Sequence, residues 1–147
     1  MVRHAGSVVV LAVDGSGRTP RVLLERQYRH AAKDFLWELP AGRIDRGESA
    51  LAAGRRELLE ETGYTARRWK RALVFYPTPG LLDETMTVYL AQGLRAGSAR
   101  PEADELISTR LFPFSSALRM ATGGAIRDGK TLAALFWFAH VKAGGRR

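Results

Sequence analysis

The chain has 147 residues, 46% of them hydrophobic and 26% charged, a composition that suits one globular domain with a sizeable core and no second one. Cysteine is absent, which excludes a disulfide framework, a thiolate nucleophile and any cysteine-held zinc or iron–sulfur centre, and fits a cytoplasmic setting. The net charge of +8 favours anionic partners without choosing among them.

An apolar run over 8–13 stops at Asp14; it is too short for a signal peptide and predicts a strand over 7–14. Gly15-Ser16-Gly17 supplies a turn, and 22–27, opening on Val22, Leu23 and Leu24, completes a hairpin. A third strand over 35–39 is ended by Pro40-Ala41-Gly42, and a loop runs on to Gly47. Residues 48–62 predict a helix, with Gly63 where a left-handed cap would sit. Leu51, Leu58 and Thr62 form its buried stripe, and Glu57, Glu60 and Glu61 project together from another face. Strands follow over 72–76, 85–91 and 105–111. Two helices come last. One covers 115–122, capped by Ser115-Ser116; the other covers 130–141, with Leu132, Leu135, Phe136 and Phe138 as its core face. The apolar stretch 131–141 reaches about half of the roughly 20 residues a bilayer span needs, so no membrane partner is predicted. The order predicts an α+β fold, with helices inserted into a mixed, largely antiparallel sheet. The basic cluster Arg67-Arg68-Trp69-Lys70-Arg71 reads as a solvated face between elements, and no DNA partner is predicted.

The chemistry lies in the glutamates of the first helix. Glu57 and Glu61 are one turn apart with Glu60 beside them, a spacing at which like charges repel. Glu60 and Glu61 also sit at the negative end of the helix dipole, which costs roughly 0.3–1 kcal/mol for each exposed anion. Arg55 and Arg56 could neutralise a merely solvated acidic face. A hard divalent cation, which takes carboxylate and carbonyl oxygens, instead turns the repulsion into attraction.

The frame around the glutamates decides between the two. Gly42 is followed after five residues by Glu48, and after seven more by Arg56-Glu57-Leu58-Leu59-Glu60-Glu61-Thr62-Gly63-Tyr64. Each of these positions matches the Nudix box, and the chain resembles the Nudix hydrolase family. The resemblance implies an α/β/α sandwich in which a loop, a helix and a loop carry the box. It makes the Ala41 carbonyl, Glu57 and Glu61 ligands of Mg²⁺, with Mn²⁺ as the alternative. Glu60 then ligates or holds water, Arg56 and Glu48 brace the helix, and Gly42 and Gly63 are structural. Water attacks a diphosphate, with no covalent enzyme intermediate.

Flanking segments resemble the ADP-ribose pyrophosphatase subgroup: Arg26-Gln27-Tyr28-Arg29, Trp37-Glu38-Leu39-Pro40-Ala41-Gly42, Tyr76-Pro77-Thr78-Pro79-Gly80 and Ile126-Arg127-Asp128-Gly129-Lys130-Thr131. The likeness implies that Arg29, Glu38 and Arg26 contact substrate, and that Pro79-Gly80-Leu81 forms a loop near it, unless that segment is simply a turn. Glu105 becomes the candidate catalytic base, with Glu102 as substitute; both could also be plain surface acids. The subgroup usually carries extra strands before the core that cross a dimer and stack the adenine, whereas this chain begins almost at the core. The adenine platform then falls to Tyr28 or Trp37, and a homodimer stays open. The small-molecule substrate implied is ADP-ribose, cut to AMP and ribose 5-phosphate. The alternatives are another nucleotide sugar, a dinucleoside polyphosphate or a capped RNA end, or a non-catalytic domain that senses a nucleotide. His4, His30 and His140 receive no role, and Trp69, Trp137, Met86 and Met120 are read as packing residues.

Overall fold

The computed structural model describes residues 4–98 and 107–144. In chain order the elements are β1 (Ser7–Asp14), β2 (Arg21–Arg29), β3 (Asp34–Glu38), β4 (Ala41–Arg43), α1 (Ala50–Thr62), β5 (Thr65–Phe75), β6 (Met86–Arg95), β7 (Ile107–Pro113), α2 (Phe114–Thr122) and α3 (Gly129–Lys142).

The run Val8–Val13 is apolar at every position because β1 is central and covered on both faces. It pairs in parallel with β6 from Ser7↔Met86 to Val13↔Gln92, while the sheet's other pairings are antiparallel. Val10, Ala12, Leu23 and Ala91 pack with Leu58 of α1 and with Trp69, whereas Val9, Leu11, Val13 and Leu24 pack with Ala117 of α2 and with Leu135 and Phe138 of α3. Alternation along β1 thus feeds two cores. The result is the layered α/β/α arrangement around a mixed, open sheet.

The first hairpin is brief. β2 meets β1 only at Val13↔Val22 and Asp14↔Arg21, then leaves to pair with β3 and β7. The vacated edge of β1 is taken by β4, in the register Ser7↔Arg43, Val8↔Gly42, Val9↔Ala41. A loop was expected there; the short strand forms because β1 still needs hydrogen-bond partners after β2 has diverged.

β5 also departs from expectation, starting at Thr65 rather than at 72, so the basic cluster lies within a strand and not between elements. Among the described residues β5 pairs only with β6, which makes it an edge strand. Exposed Arg67, Arg68, Lys70 and Arg71 suit such an edge, where charge discourages further pairing. Trp69 turns the other way, under α1.

α1 begins at Ala50, two residues later than expected, because Ser49 is its cap: the Ser49 hydroxyl accepts the Ala52 N–H at 3.1 Å. Gly54, an odd residue for a helix interior, lets α1 approach the sheet, since a Cβ there would lie 3.3 Å from both Trp69 Cζ3 and Val8 Cγ2. Two expectations for the last helices fail. α2 is capped at Pro113 without a side-chain bond, leaving Ser115 and Ser116 inside its first turn; on α3, Phe136 is 44% exposed and off the core face. Asp128 caps α3 by accepting the Thr131 N–H at 3.1 Å. No helix among the described residues is long and apolar enough to cross a membrane.

Gly63 ends α1 with φ of 76° and donates its N–H to the Leu59 carbonyl at 2.9 Å. A side chain in that conformation is strained, so Gly63→Ala is expected to lower stability by about 1–2 kcal/mol in urea titration.

Candidate active site

The divergence of β2 from β1 opens a cavity of about 680 Å³. Gln27 and Arg29 line it from β2, Ala41 and Gly42 from β4, Arg56, Glu57, Glu60 and Glu61 from α1, and Lys130 from α3.

The acidic wall is built by close approach of α1 to β4. A Cβ on Gly42 would fall 2.1 Å from the carboxyl carbon of Glu57, so only glycine lets that side chain lie against the strand backbone. Arg56 gathers the segment. Its Nε and Nη2 donate to Glu48 at 2.9 and 3.0 Å, Nη2 also reaches the Arg43 carbonyl at 3.0 Å, and Nη1 reaches Glu57 at 2.8 Å and Glu60 at 3.3 Å. The bond from Arg56 holds the Glu48 carboxyl below its usual range, and the acids around Arg56 hold its guanidinium far above its own.

Glu61 differs from its two neighbours, being only 6% exposed. Its Oε2 accepts the Ala41 N–H at 3.2 Å, and its carboxyl meets that of Glu25, a residue given no role by the sequence. Burial, then the charge of Glu25, pushes the Glu61 carboxyl up to about 11. Burial also pushes Glu25 up to about 8. Glu61 therefore lines the same cavity as Glu57 and Glu60, as its helical spacing suggested, but is the buried member of the three.

The opposite wall is cationic. Arg29 grips Glu38 with two parallel bonds, Nε to Oε2 at 2.7 Å and Nη2 to Oε1 at 2.8 Å. Lys130 donates to Glu38 Oε1 at 2.7 Å and to Asp128 Oδ1 at 2.9 Å. Burial opposes the charge on Glu38, but Arg29 and Lys130 outweigh it and leave the carboxyl below its usual range. Burial likewise opposes the charge on Lys130, and Asp128 and Glu38 raise it regardless. Glu38 was expected to contact substrate; at 1% exposure, with both oxygens taken, it lies beneath the wall and aims the two cations.

The chain matches the NUDIX domain over residues 3–135. The chain belongs to the Nudix family of pyrophosphohydrolases. It is 34% identical over 137 residues to an ADP-ribose pyrophosphatase of Bacillus subtilis, covering 92% of this chain and 72% of the relative. It is 36% identical over 148 residues to an ADP-ribose pyrophosphatase of Mycobacterium tuberculosis, covering 98% and 70%. A GDP-mannose pyrophosphatase of Salmonella arizonae is 36% identical over 120 residues, covering 76% and 62%.

Not every residue singled out from the Nudix sequence reaches the cavity. Arg26 is exposed and lies 4.2 Å from the centre of the Phe35 ring, and Pro79, Gly80 and Leu81 form an exposed turn. Trp37 packs edge-on against Phe112, and strand alternation puts Tyr28 on the face opposite Gln27 and Arg29. Neither platform candidate lines the cavity. Glu102 and Glu105 lie outside the described residues. Besides Glu25 and Lys130, the sequence reading missed Glu84, whose Oε1 accepts the Ser7 hydroxyl at 2.6 Å, and His4 beside it; both line the cavity. Lys130 stood in a matched segment but received no role, and His4 and Glu84 are brought in only by the fold.

Nudix hydrolases generally use divalent metals, and the donor set suits one. Among the described residues no three acidic or histidine side chains yet converge on one point, since Arg56 draws Glu57 and Glu60 while Glu61 turns to Ala41 and Glu25. Glu25 Oε2 and Gln27 Oε1 are buried acceptors without a hydrogen-bond partner. These hard oxygen donors fit a hydrated divalent cation.

The raised carboxyls of Glu25 and Glu61 have a consequence for stability. Their protonated forms are favoured on folding, so their contribution is complete below the ordinary value of 4.5 and is lost as pH rises through about 8 for Glu25 and about 11 for Glu61. The metal-free melting temperature is expected to fall between about pH 5 and pH 9 and to fall less with excess Mg²⁺, as differential scanning fluorimetry can show. An identical slope with and without the ion would contradict this.

Proposed function

We propose that this chain hydrolyses the diphosphate of ADP-ribose, giving AMP and ribose 5-phosphate, with Mg²⁺ as its ion and Mn²⁺ able to substitute. The observation that carries this reading is the pairing, within one cavity, of Glu57, Glu60, Glu61 and the Ala41–Gly42 backbone with Arg29 and Lys130 opposite. One wall suits a divalent cation; the other suits phosphate oxygens.

Glu57, Glu61 and the Ala41 carbonyl are the proposed ligands, with Glu60 ligating or holding water. When bound, the ion offsets charge on the diphosphate and lowers the pKa of water. Arg29 orients the diphosphate, and Glu38 keeps its planar guanidinium aimed. Lys130 adds a second positive contact on the same side. Glu105, with Glu102 as substitute, is the proposed base that takes the proton from the attacking water. The preference for ADP-ribose rests on likeness to the two ADP-ribose pyrophosphatases. The relative named for GDP-mannose supports a second reading, another nucleotide sugar.

A panel of ADP-ribose, GDP-mannose, a dinucleoside polyphosphate and capped RNA, each with Mg²⁺, separates these readings by product. Release of AMP and ribose 5-phosphate as the fastest reaction is expected. Faster turnover of GDP-mannose moves the assignment to that substrate, and ligand binding without any turnover leaves only a nucleotide sensor. Glu57→Gln is expected to lower kcat by two orders of magnitude or more, roughly the scale of losing a group that acts in the transition state. Glu105→Gln is expected to cut kcat by about 10²–10⁴ while leaving Mg²⁺ affinity near that of the parent; an unchanged rate would move the role to Glu102. Arg29→Ala is expected mainly to raise KM, and a fall in kcat alone would show that Arg29 acts in the transition state instead.

A further inference from the structure

Strand β2 turns from core to cavity at one residue. Leu23, Glu25, Gln27 and Arg29 share a face; Leu23 packs in the apolar cluster under α1, while Gln27 and Arg29 line the cavity. Glu25 stands between them, 1% exposed, where an aliphatic side chain would extend the cluster without cost to any charge.

Its surroundings do not satisfy it. Its carboxyl meets that of Glu61, another acid, and its Oε2 has no hydrogen-bond partner among the described residues. The nearest cations are committed elsewhere, Arg29 to Glu38 through two bonds and Lys130 to Glu38 and Asp128. Gln27 Oε1, next along the same face, is a second buried acceptor without a partner among the described residues. Buried acceptors are rarely left open, and two on one face of β2 suit a cation or the water bound to it.

We propose that Glu25 is a fourth acidic residue of the cation site, a positioning residue that holds the Glu61 side chain towards the cavity and so sets the affinity for the ion. This rests on the reading of Glu61 as a ligand given above. The ligand is then fixed from two sides, by the Ala41 N–H and by Glu25. Outer partners of this kind orient a ligand and commonly change metal affinity when removed. The open acceptor on Glu25 suits water, which a small hard cation retains on binding.

The test is Mn²⁺ binding to the full chain without substrate, followed by calorimetry and by loss of the free-ion paramagnetic resonance signal, for the parent, Glu25→Leu and Glu25→Gln. Glu25→Leu is expected to weaken Mn²⁺ binding about 10- to 100-fold. Glu25→Gln, whose amide can still bond Glu61, is expected to restore most of the affinity. At saturating Mn²⁺ the leucine variant is expected to recover most of its kcat, which damage to the fold would not permit. Its melting temperature without ion should equal or exceed that of the parent, because an unsatisfied acid has been removed. Parental Mn²⁺ affinity in Glu25→Leu overturns the inference, and equal losses in both variants overturn the positioning role. Absence of Mn²⁺ binding by the parent itself would sink the cation-site reading and this inference together, whereas parental binding with unchanged variants sinks only the latter.

Discussion

Folding this chain requires carboxylates to be brought together where water cannot screen them. Glu25, Glu38 and Glu61 are each buried, and Glu57 and Glu60 lie at the rim of the same cavity. Among the described residues, cations answer only part of that charge. Arg56 serves Glu48, Glu57 and Glu60, while Arg29 and Lys130 serve Glu38, leaving the contact between Glu25 and Glu61 as an encounter of two acids. Such a pair is tolerated in a marginally stable fold only if it is protonated or if an external cation enters. The proposed ion therefore bears on stability as well as on chemistry.

The backbone explains why the acids meet at this place. β1 gives its far end to β2 and its near end to β4, so that the two strands on one edge part company and leave a wedge between them. α1 crosses that wedge because Gly54 lets it approach β1 and Gly42 lets Glu57 settle on β4. The N-terminus of α3 closes the far side, with the Thr131 hydroxyl accepting the Leu39 N–H at 3.0 Å. Strand, helix and cap thus converge without any long loop among the described residues.

Legibility in the sequence followed the physical range of each signal. α1 could be read because helical spacing and a left-handed glycine act within one or two turns, and because the Nudix box fixes residue types at set distances; its Ser49 cap, acting over the same range, went unread. β4 could not, since three residues of no particular propensity become a strand only when β1 lacks a partner. The extent of β5 was hidden by its charges, which look like a loop until the edge position is known. Glu25 closes an apolar triplet and passes for the polar end of a strand. Following the alternation through Leu23, Glu25, Gln27 and Arg29 would have put it on the same face as the arginine, but only the fold reveals that Glu61 waits opposite.

The surplus of positive charge also acquires a meaning beside an acidic cavity. At +8 the chain attracts anions at long range, within the reach that salt allows. At short range, Glu57, Glu60 and Glu61 repel the diphosphate that the outer field draws in. Arg29 and Lys130 do not cancel this repulsion, because each is already committed to buried Glu38. Under the proposed function the ion reverses the local sign and leaves the distant field nearly unchanged. Ion and nucleotide should therefore assist one another's binding, and by thermodynamic linkage each must raise the affinity of the other by the same factor. Specificity for a diphosphate over a single phosphate then follows from geometry, since only a bridging group can engage the acidic wall through the ion and the cationic wall directly.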